Sequence, residues 1–143
     1  MAIEDTLAKV DLFSELERED LERLAKVTVV RDFNKGDIIV KEGELGVGFY
    51  VVAHGRVDVL KELGTPQEQV MASMGPNAFF GEMALFDNQL RSASVRATEA
   101  TQCFVLTKWD FNAELTLSGC RIAIAMLTVL ARRVRAMTDA ASH

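Results

Sequence analysis

The chain has 143 residues, of which 49% are hydrophobic and 26% are charged, so it is long enough to bury the core of one globular domain. Its formal net charge of −5 argues against a general nucleic-acid binder, because such proteins normally carry a basic face. Two cysteines are too few for a disulfide framework or a four-ligand metal site, so Cys103 and Cys120 are predicted to be small, buried or half-buried hydrophobic residues.

The first segment, residues 1–26, is predicted to be helical. Leu21 and Leu24 recur at helical spacing, and Glu19 and Asp20 stand at a helix start, where acidic side chains favour the helix dipole. The acidic opening lacks the basic start and apolar run of a secretory signal. No apolar stretch reaches the length of a membrane span. We therefore expect a cytoplasmic protein.

Residues 27–107 are predicted to form short strands separated by glycine turns. Seven runs have the composition of strands, namely Val27–Phe33, Ile38–Val40, Phe49–Ala53, Arg56–Leu60, Gln69–Met74, Ser92–Ala97 and Thr101–Leu106. The tripeptide Gly64-Thr65-Pro66 indicates a hairpin tip. Many short strands at such intervals favour a barrel or a sandwich.

The last segment, residues 108–143, is predicted to hold a short helix, Trp109–Leu115, and a long helix from about Cys120 to Ala140. Leu127, Leu130, Val134 and Met137 form a narrow apolar seam on the long helix, which is typical of a helix that meets another helix or a sheet. After this helix we expect no DNA-binding module, and we treat residues 1–143 as a single domain.

The most informative motif is Phe80-Gly81-Glu82-Met83-Ala84-Leu85, followed by Arg91-Ser92-Ala93. Glycine lets the backbone approach an anion closely, and the apolar run after it can wind into one helical turn. The Arg91 guanidinium has the donors to bind phosphate oxygens, and Glu82 can accept a hydrogen bond from a sugar hydroxyl. One arginine and one helical turn match a single negative charge, and the sequence lacks the P-loop motif that a triphosphate normally requires.

With these residues the sequence resembles the cyclic nucleotide-binding domain family, the superfamily of the catabolite activator protein, the regulatory subunit of protein kinase A and the cyclic nucleotide-gated channels. Further matches are Leu12-Phe13-Ser14-Glu15-Leu16 and the turn glycines Gly36, Gly43 and Gly55. The resemblance implies an eight-stranded β-roll or jelly roll with N-terminal helices, a phosphate-binding cassette at residues 80–94 with a short helix, and a long C-terminal helix.

The resemblance also implies roles for individual residues. Backbone amides of Gly81, Met83 and Ala84 and the side chain of Arg91 would bind the cyclic phosphate. Glu82 would bind the ribose 2′-hydroxyl, and Ser92 would add an amide and a hydroxyl near the phosphate.

The identity of the base is less well determined by the sequence. In the family, Thr after the arginine favours cGMP and Ala favours cAMP, so Ser92 is the intermediate case, and we expect cAMP while leaving cGMP open. Val70 and Met71 of the barrel and Arg135 and Thr138 of the last helix are candidates for contact with the base. The expected action is a ligand-induced movement of that helix, which acts on a protein effector and can also form a homodimer.

Three positions depart from the family pattern, with Val47 in place of Asp, Asn77 in place of Gly and Leu90 in place of Pro. They leave open an interaction module that has kept the fold and lost or changed its ligand. His54 and His143 have no partners at metal spacing, so neither a metal nor another cofactor is expected. No cluster of catalytic residues is recognisable, and we do not expect an enzyme.

Overall fold

The computed structural model describes residues 2–86, 88, 90–118 and 120–141, and for residues 82, 83, 140 and 141 it describes the backbone only. The chain divides into two compact units. One unit comprises residues 28–109, and the other comprises residues 1–27 and 110–143. The assignment of both units to one domain stays a prediction.

The unit at residues 28–109 is a β-barrel of two antiparallel sheets. Its strands, within the described part of the chain, are β1 (Val29–Phe33), β2 (Ile38–Val40), β3 (Gly48–His54), β4 (Val57–Lys61), β5 (Gln69–Met74), β6 (Phe79–Phe80), β7 (Ser94–Ala97) and β8 (Thr101–Thr107). The strand order is β1-β8-β3-β6 in one sheet and β2-β7-β4-β5 in the other. The predicted mainly β fold with flanking helices is confirmed.

The core of the barrel lies between the two sheets. Both sheets contribute side chains to it, and the central strands β3 and β8 are buried along most of their length. The buried members are Val52, Val57, Phe80, Val95, Cys103 and Val105.

Since β6 has only two residues, it carries no periodicity of its own, and the sequence reading missed it as a strand. It forms by pairing Tyr50 with Phe80.

Turns in the barrel lie at the positions where the sequence predicts them. Gly36, Gly43 and Gly55 all have a positive φ, and Gly64, at the tip between β4 and β5, has a φ of +80°. Asn77 has a φ of +72°. Asparagine thus adopts the left-handed conformation that the family pattern gives to a glycine.

The other unit is helical. It contains α1 (Ile3–Leu7), a 3₁₀ turn (Asp11–Phe13), α2 (Arg18–Val27), most of α3 (Lys108–Leu117) and α4 (Arg121–Ala141). α1 contacts α2, and α4 contacts the 3₁₀ turn. An ion pair between Asp20 and Arg121 links α2 to α4 within this unit.

The predicted seam on α4 is largely exposed, because Leu127, Val134 and Met137 face solvent, whereas Ile122, Met126 and Val129 are buried. Among the described helices, none is by itself long and apolar enough to cross a membrane. α3 and α4 meet that criterion only when taken together, across a bend of 113°.

Candidate phosphate-binding site

Gly81 joins β6 to the turn of the cassette, and its backbone conformation requires glycine. Its φ is +80°, in the left-handed region. A Cβ atom added at this position would collide with the Arg91 guanidinium and lie 2.9 Å from the Gly48 carbonyl oxygen. The sequence predicted a close backbone approach to an anion, and the structure shows a close approach to the guanidinium that would hold the anion.

The helical turn predicted after Gly81 is present as a 3₁₀ turn at Glu82–Leu85. Ala84 is buried, and its N–H donates to the Gly81 carbonyl oxygen at 3.1 Å. This amide, one of the predicted phosphate donors, is therefore engaged within the turn. The side chains of Glu82 and Met83 lie outside the described residues, so the contact predicted between Glu82 and a ribose stays a prediction.

The backbone around Arg91 is anchored to the loop before β3. The Arg91 N–H donates to the Glu44 carbonyl oxygen at 2.7 Å, and the Gly43 N–H donates to the Arg91 carbonyl oxygen at 2.9 Å. Leu45 and Leu90 form an isolated antiparallel bridge. Leu90, where the family often has proline, thus belongs to a short paired segment that fixes the position of the arginine.

The Arg91 side chain is half-buried among glycines and one aromatic ring. Its Nη2 donates to the Gly48 carbonyl oxygen at 2.7 Å. A Cβ atom on Gly46 would lie 3.1 Å from its Nε. The guanidinium carbon lies 5.9 Å from the centre of the Tyr50 ring. The sequence reading missed these roles of Gly46, Gly48 and Tyr50, although a glycine at position 46 is a visible signal of close packing.

The charge of Arg91 has no counter-charge among the side chains that the structure describes, since none of their carboxylates lies within 4.0 Å of its guanidinium. Burial lowers the pKa of Arg91, and the neighbouring Tyr50 opposes that shift. An arginine side chain nonetheless remains protonated at neutral pH. A half-buried cation that has no carboxylate partner among the described side chains favours the binding of an anion.

Arg91 lines a hollow of about 150 Å³ to which both sheets contribute. Its walls are mainly apolar and carry a few polar groups near the cassette, an arrangement typical of small-molecule sites. The lining residues are Val40, Val59, Met74, Phe80, Gly81, Arg91, Ser92, Ala93 and Val95. A second hollow, of about 130 Å³, shares Val40 and Arg91 with the first and is also lined by Val47 and Tyr50.

The structure brings together Gly81, Arg91 and Ser92 of the predicted site residues around one hollow. Val70 and Met71 lie on β5, 51% and 52% exposed, and are not among its lining residues. Met74, on the same strand, does line it. Arg135 and Thr138 lie on α4, in the helical unit. The contacts of these four residues with a base stay predictions.

A larger hollow, of about 490 Å³, lies in the helical unit and is lined by Ile3, Glu4, Glu22, Ala25 and Lys26. It contains no arginine and no cassette residue, so it does not compete with the site at Arg91. No three described His, Cys, Asp or Glu side chains are grouped closely enough to hold a metal ion.

Fold and site together define a β-barrel with a mainly apolar hollow that is lined by a half-buried arginine. The family model for the cyclic nucleotide-binding domain matches residues 30–116, and the chain belongs to this family. The predicted resemblance is thereby confirmed.

Known proteins of several kinds are similar to this chain. The cGMP-dependent protein kinase 2 of Homo sapiens is 33% identical over 108 residues, which is 74% of this chain and 14% of the kinase. The Cyclic AMP receptor protein of Thermus thermophilus is 34% identical over 124 residues, which is 87% of this chain and 57% of that protein. The chain therefore spans less than two thirds of the length of these curated relatives.

A solved structure covers nearly the whole fold. The N-terminal domain of a transcriptional regulator from Streptomyces coelicolor A3(2) has a TM-score of 0.87 and 30% identity, over 95% of this chain and 94% of that domain.

Proposed function

We propose that this chain is a regulatory sensor that binds cAMP in preference to cGMP at the Arg91 hollow. The observation that carries the proposal is the half-buried Arg91 guanidinium, which lines an apolar hollow and lacks a carboxylate partner among the described side chains. Arg91 would bind the cyclic phosphate together with the backbone of Gly81, Met83 and Ala84. Glu82 would bind the ribose 2′-hydroxyl, and Ser92 would lie beside the phosphate.

The size of the site supports a ligand that extends beyond the cassette. Typical ligand pockets measure about 300–1,000 Å³. The hollow at the cassette measures about 150 Å³, and its neighbour, which shares Arg91, measures about 130 Å³. A nucleoside phosphate would therefore extend beyond the cassette hollow, with its anionic group at Arg91. Val70, Met71, Arg135 and Thr138 remain the proposed contacts for the base.

The residue after the arginine is Ser92, the intermediate case in the family, which is compatible with the proposed cAMP. Its hydroxyl offers one hydrogen bond near the phosphate and does not exclude a guanine base. Relatives of both kinds, the Cyclic AMP receptor protein of Thermus thermophilus and the human cGMP-dependent protein kinase 2, are similar to this chain to nearly the same extent.

The proposed mechanism is a population shift of α4 without catalysis. Ligand binding moves this helix only if the helix, in its ligand-bound position, gains contacts that it lacks in its ligand-free position. The exposed side chains of Leu127, Val134 and Met137 supply an apolar surface for a protein effector or for a second copy of the chain.

The rival function is an interaction module that has kept the barrel and lost its ligand. Two observations favour it: the Arg91 guanidinium already donates to the Gly48 carbonyl, and the Ala84 amide is already engaged within its turn. The two functions differ in whether the protein responds to a cyclic nucleotide.

Thermal melting with and without nucleotide tests the proposal. At 100 times its Kd, a ligand stabilises the folded state by about 2.7 kcal/mol. For a chain of this length we expect cAMP to raise the Tm by roughly 8 °C. Arg91→Ala should remove most of this rise, since losing the partner of a buried charge costs on the order of 2–5 kcal/mol of binding.

Arg96→Ala is the matched control. Arg96 lies on β7 and makes a long contact of 3.8 Å with Glu68, so this variant removes the same charge outside the hollow. It should keep the full rise in Tm. Millimolar cAMP and cGMP that both leave the Tm of the unmodified protein unchanged would support the interaction module instead.

A further inference from the structure

We infer that Tyr50 is a positioning residue that holds the Arg91 guanidinium ready for an anion while leaving its charge unneutralised. The inference rests on the proposed function for its effect on ligand affinity, and on the ligand-free structure for its geometry.

Tyr50 is itself held firmly by its neighbours. In the sheet it lies opposite Phe80 of β6 and Val105 of β8. Its ring stacks on the Phe80 ring, with centres 4.9 Å apart and planes 3° apart. Aromatic pairs in such an arrangement add stability beyond the area they bury. The Tyr50 ring therefore has a defined orientation before any ligand binds.

β3 contacts the guanidinium at two successive inward-facing positions. Residues 48 and 50 share one face of the strand, because side chains alternate along a strand. The Gly48 carbonyl accepts a hydrogen bond from Arg91 Nη2 at 2.7 Å. The Tyr50 ring lies 5.9 Å from the guanidinium carbon, within the range of a cation–π contact. Gly46 and Gly81 leave space for the arginine, and the Tyr50 ring limits where its guanidinium can move.

An aromatic ring suits this task better than a carboxylate. A carboxylate would pair with Arg91, neutralise it and compete with an incoming phosphate. The ring attracts the cation through its quadrupole and carries no net charge. Burial raises the pKa of the Tyr50 hydroxyl, so the side chain is neutral at physiological pH. The Tyr50 side chain therefore does not neutralise the positive charge of Arg91.

The phenyl ring, and not the hydroxyl, should carry this effect. In the described part of the chain the Tyr50 hydroxyl makes no hydrogen bond. Tyr50→Phe keeps the stacking and the cation–π face and removes the hydroxyl. Tyr50→Leu keeps an apolar side chain and removes the ring. The two variants form a matched pair.

Calorimetric titration of both variants with cAMP measures the effect on affinity. We expect Tyr50→Leu to raise the Kd about tenfold, which corresponds to about 1.4 kcal/mol, and Tyr50→Phe to bind within about twofold of the unmodified protein. If Tyr50→Leu binds as tightly as the unmodified protein, the inference is wrong. It is equally wrong if Tyr50→Phe loses as much as Tyr50→Leu, because the hydroxyl would then be the contact that matters.

NMR of the ligand-free protein tests the geometry without reference to any ligand. The Arg91 Nε–Hε signal, assigned by its loss in Arg91→Lys, should be shifted by the ring current and exchange slowly with water in the unmodified protein and in Tyr50→Phe. It should move to the position of an exposed arginine in Tyr50→Leu. An Arg91 signal already at that position in the unmodified protein overturns the inference, even if Tyr50→Leu fails to fold.

The calorimetric titration and the NMR measurement together also separate this inference from the proposed function. A protein that binds neither cAMP nor cGMP but shows the shifted Arg91 signal refutes the proposed function and retains the positioning role. A protein that binds cAMP but shows an unshifted Arg91 signal supports the proposed function and refutes the positioning role of Tyr50.

Discussion

Gly81 and Gly64 have the same backbone torsion, a φ of +80°, in very different surroundings. A Cβ atom on Gly64 would have no atom within 4 Å, whereas one on Gly81 would meet Arg91 and the Gly48 carbonyl oxygen. The left-handed conformation alone costs a side-chain-bearing residue roughly 1–2 kcal/mol. Any loss of stability in Gly81→Ala beyond this amount therefore measures the cost of the close approach to Arg91.

We predict that Gly81→Ala lowers stability by more than Gly64→Ala and weakens cAMP binding at least tenfold. The added methyl group must push Arg91 away from Gly48, which displaces the phosphate donor. Gly64→Ala should lose about 1 kcal/mol of stability and bind cAMP normally. Urea unfolding and calorimetric titration measure the two effects. Equal behaviour of the two variants would show that the cassette tolerates a side chain at position 81.

At the scale of elements, the helical unit contains an ion pair whose acid is buried. Asp20 of α2 is 1% exposed, and its carboxylate accepts three hydrogen-bond contacts from Arg121 at the start of α4, the shortest at 2.6 Å. Asp5 and Arg18 make an equally short contact of 2.6 Å, but their side chains are 45% and 53% exposed. The two pairs differ in solvation and not in distance.

We predict that Asp20→Asn lowers the Tm by about 5 °C or more, because Arg121 loses a charged acceptor that water replaces poorly beside a buried group. Asp5→Asn should change the Tm by no more than about 1 °C, as is typical of exposed ion pairs. Calorimetry of the two variants at one salt concentration makes the comparison. A smaller effect at Asp20 than at Asp5 would mean that the buried pair does not hold α2 to α4.

At the scale of the whole molecule, the two cysteines differ in whether their thiols can react without opening of the barrel. Cys103 lies in the barrel core, and burial raises the pKa of its thiol to about 11. Cys120, just before α4, is exposed, so the prediction that it is at least half-buried is wrong, whereas that for Cys103 is confirmed. Since the thiolate is the reactive form, Cys103 should react only when the barrel opens.

We predict that, in a Cys120→Ser variant, iodoacetamide labels Cys103 about 100-fold more slowly when cAMP is present at 100 times its Kd, since binding reduces the open population by that factor. Mass spectrometry follows the reaction. Cys120, in a Cys103→Ala variant, should react quickly at a rate that cAMP changes much less. Labelling of Cys103 that cAMP does not slow would show either that no ligand binds or that Cys103 reacts without opening of the barrel.

Much of the fold and part of the site could be predicted from local patterns. Strands such as Gln69–Met74 and the turn at Gly64 were predictable, since alternation and turn chemistry are properties of neighbouring residues. The two-residue strand β6 was not, because only its pairing with β3 defines it. Val59 and Met74 were likewise missed as wall residues of the hollow, since they come from separate strands.

The sequence by itself determined the family and the residues of the cassette. Gly81, Arg91 and Ser92 stand within twelve positions of one another, and their chemistry can be inferred from the sequence before the fold is known. Only the tertiary structure decided how the arginine is held, by the Gly48 carbonyl and the Tyr50 ring, both more than 40 residues away along the chain. The physical reason is that such contacts depend on strand pairing, which brings distant residues together and leaves no periodic pattern in the sequence.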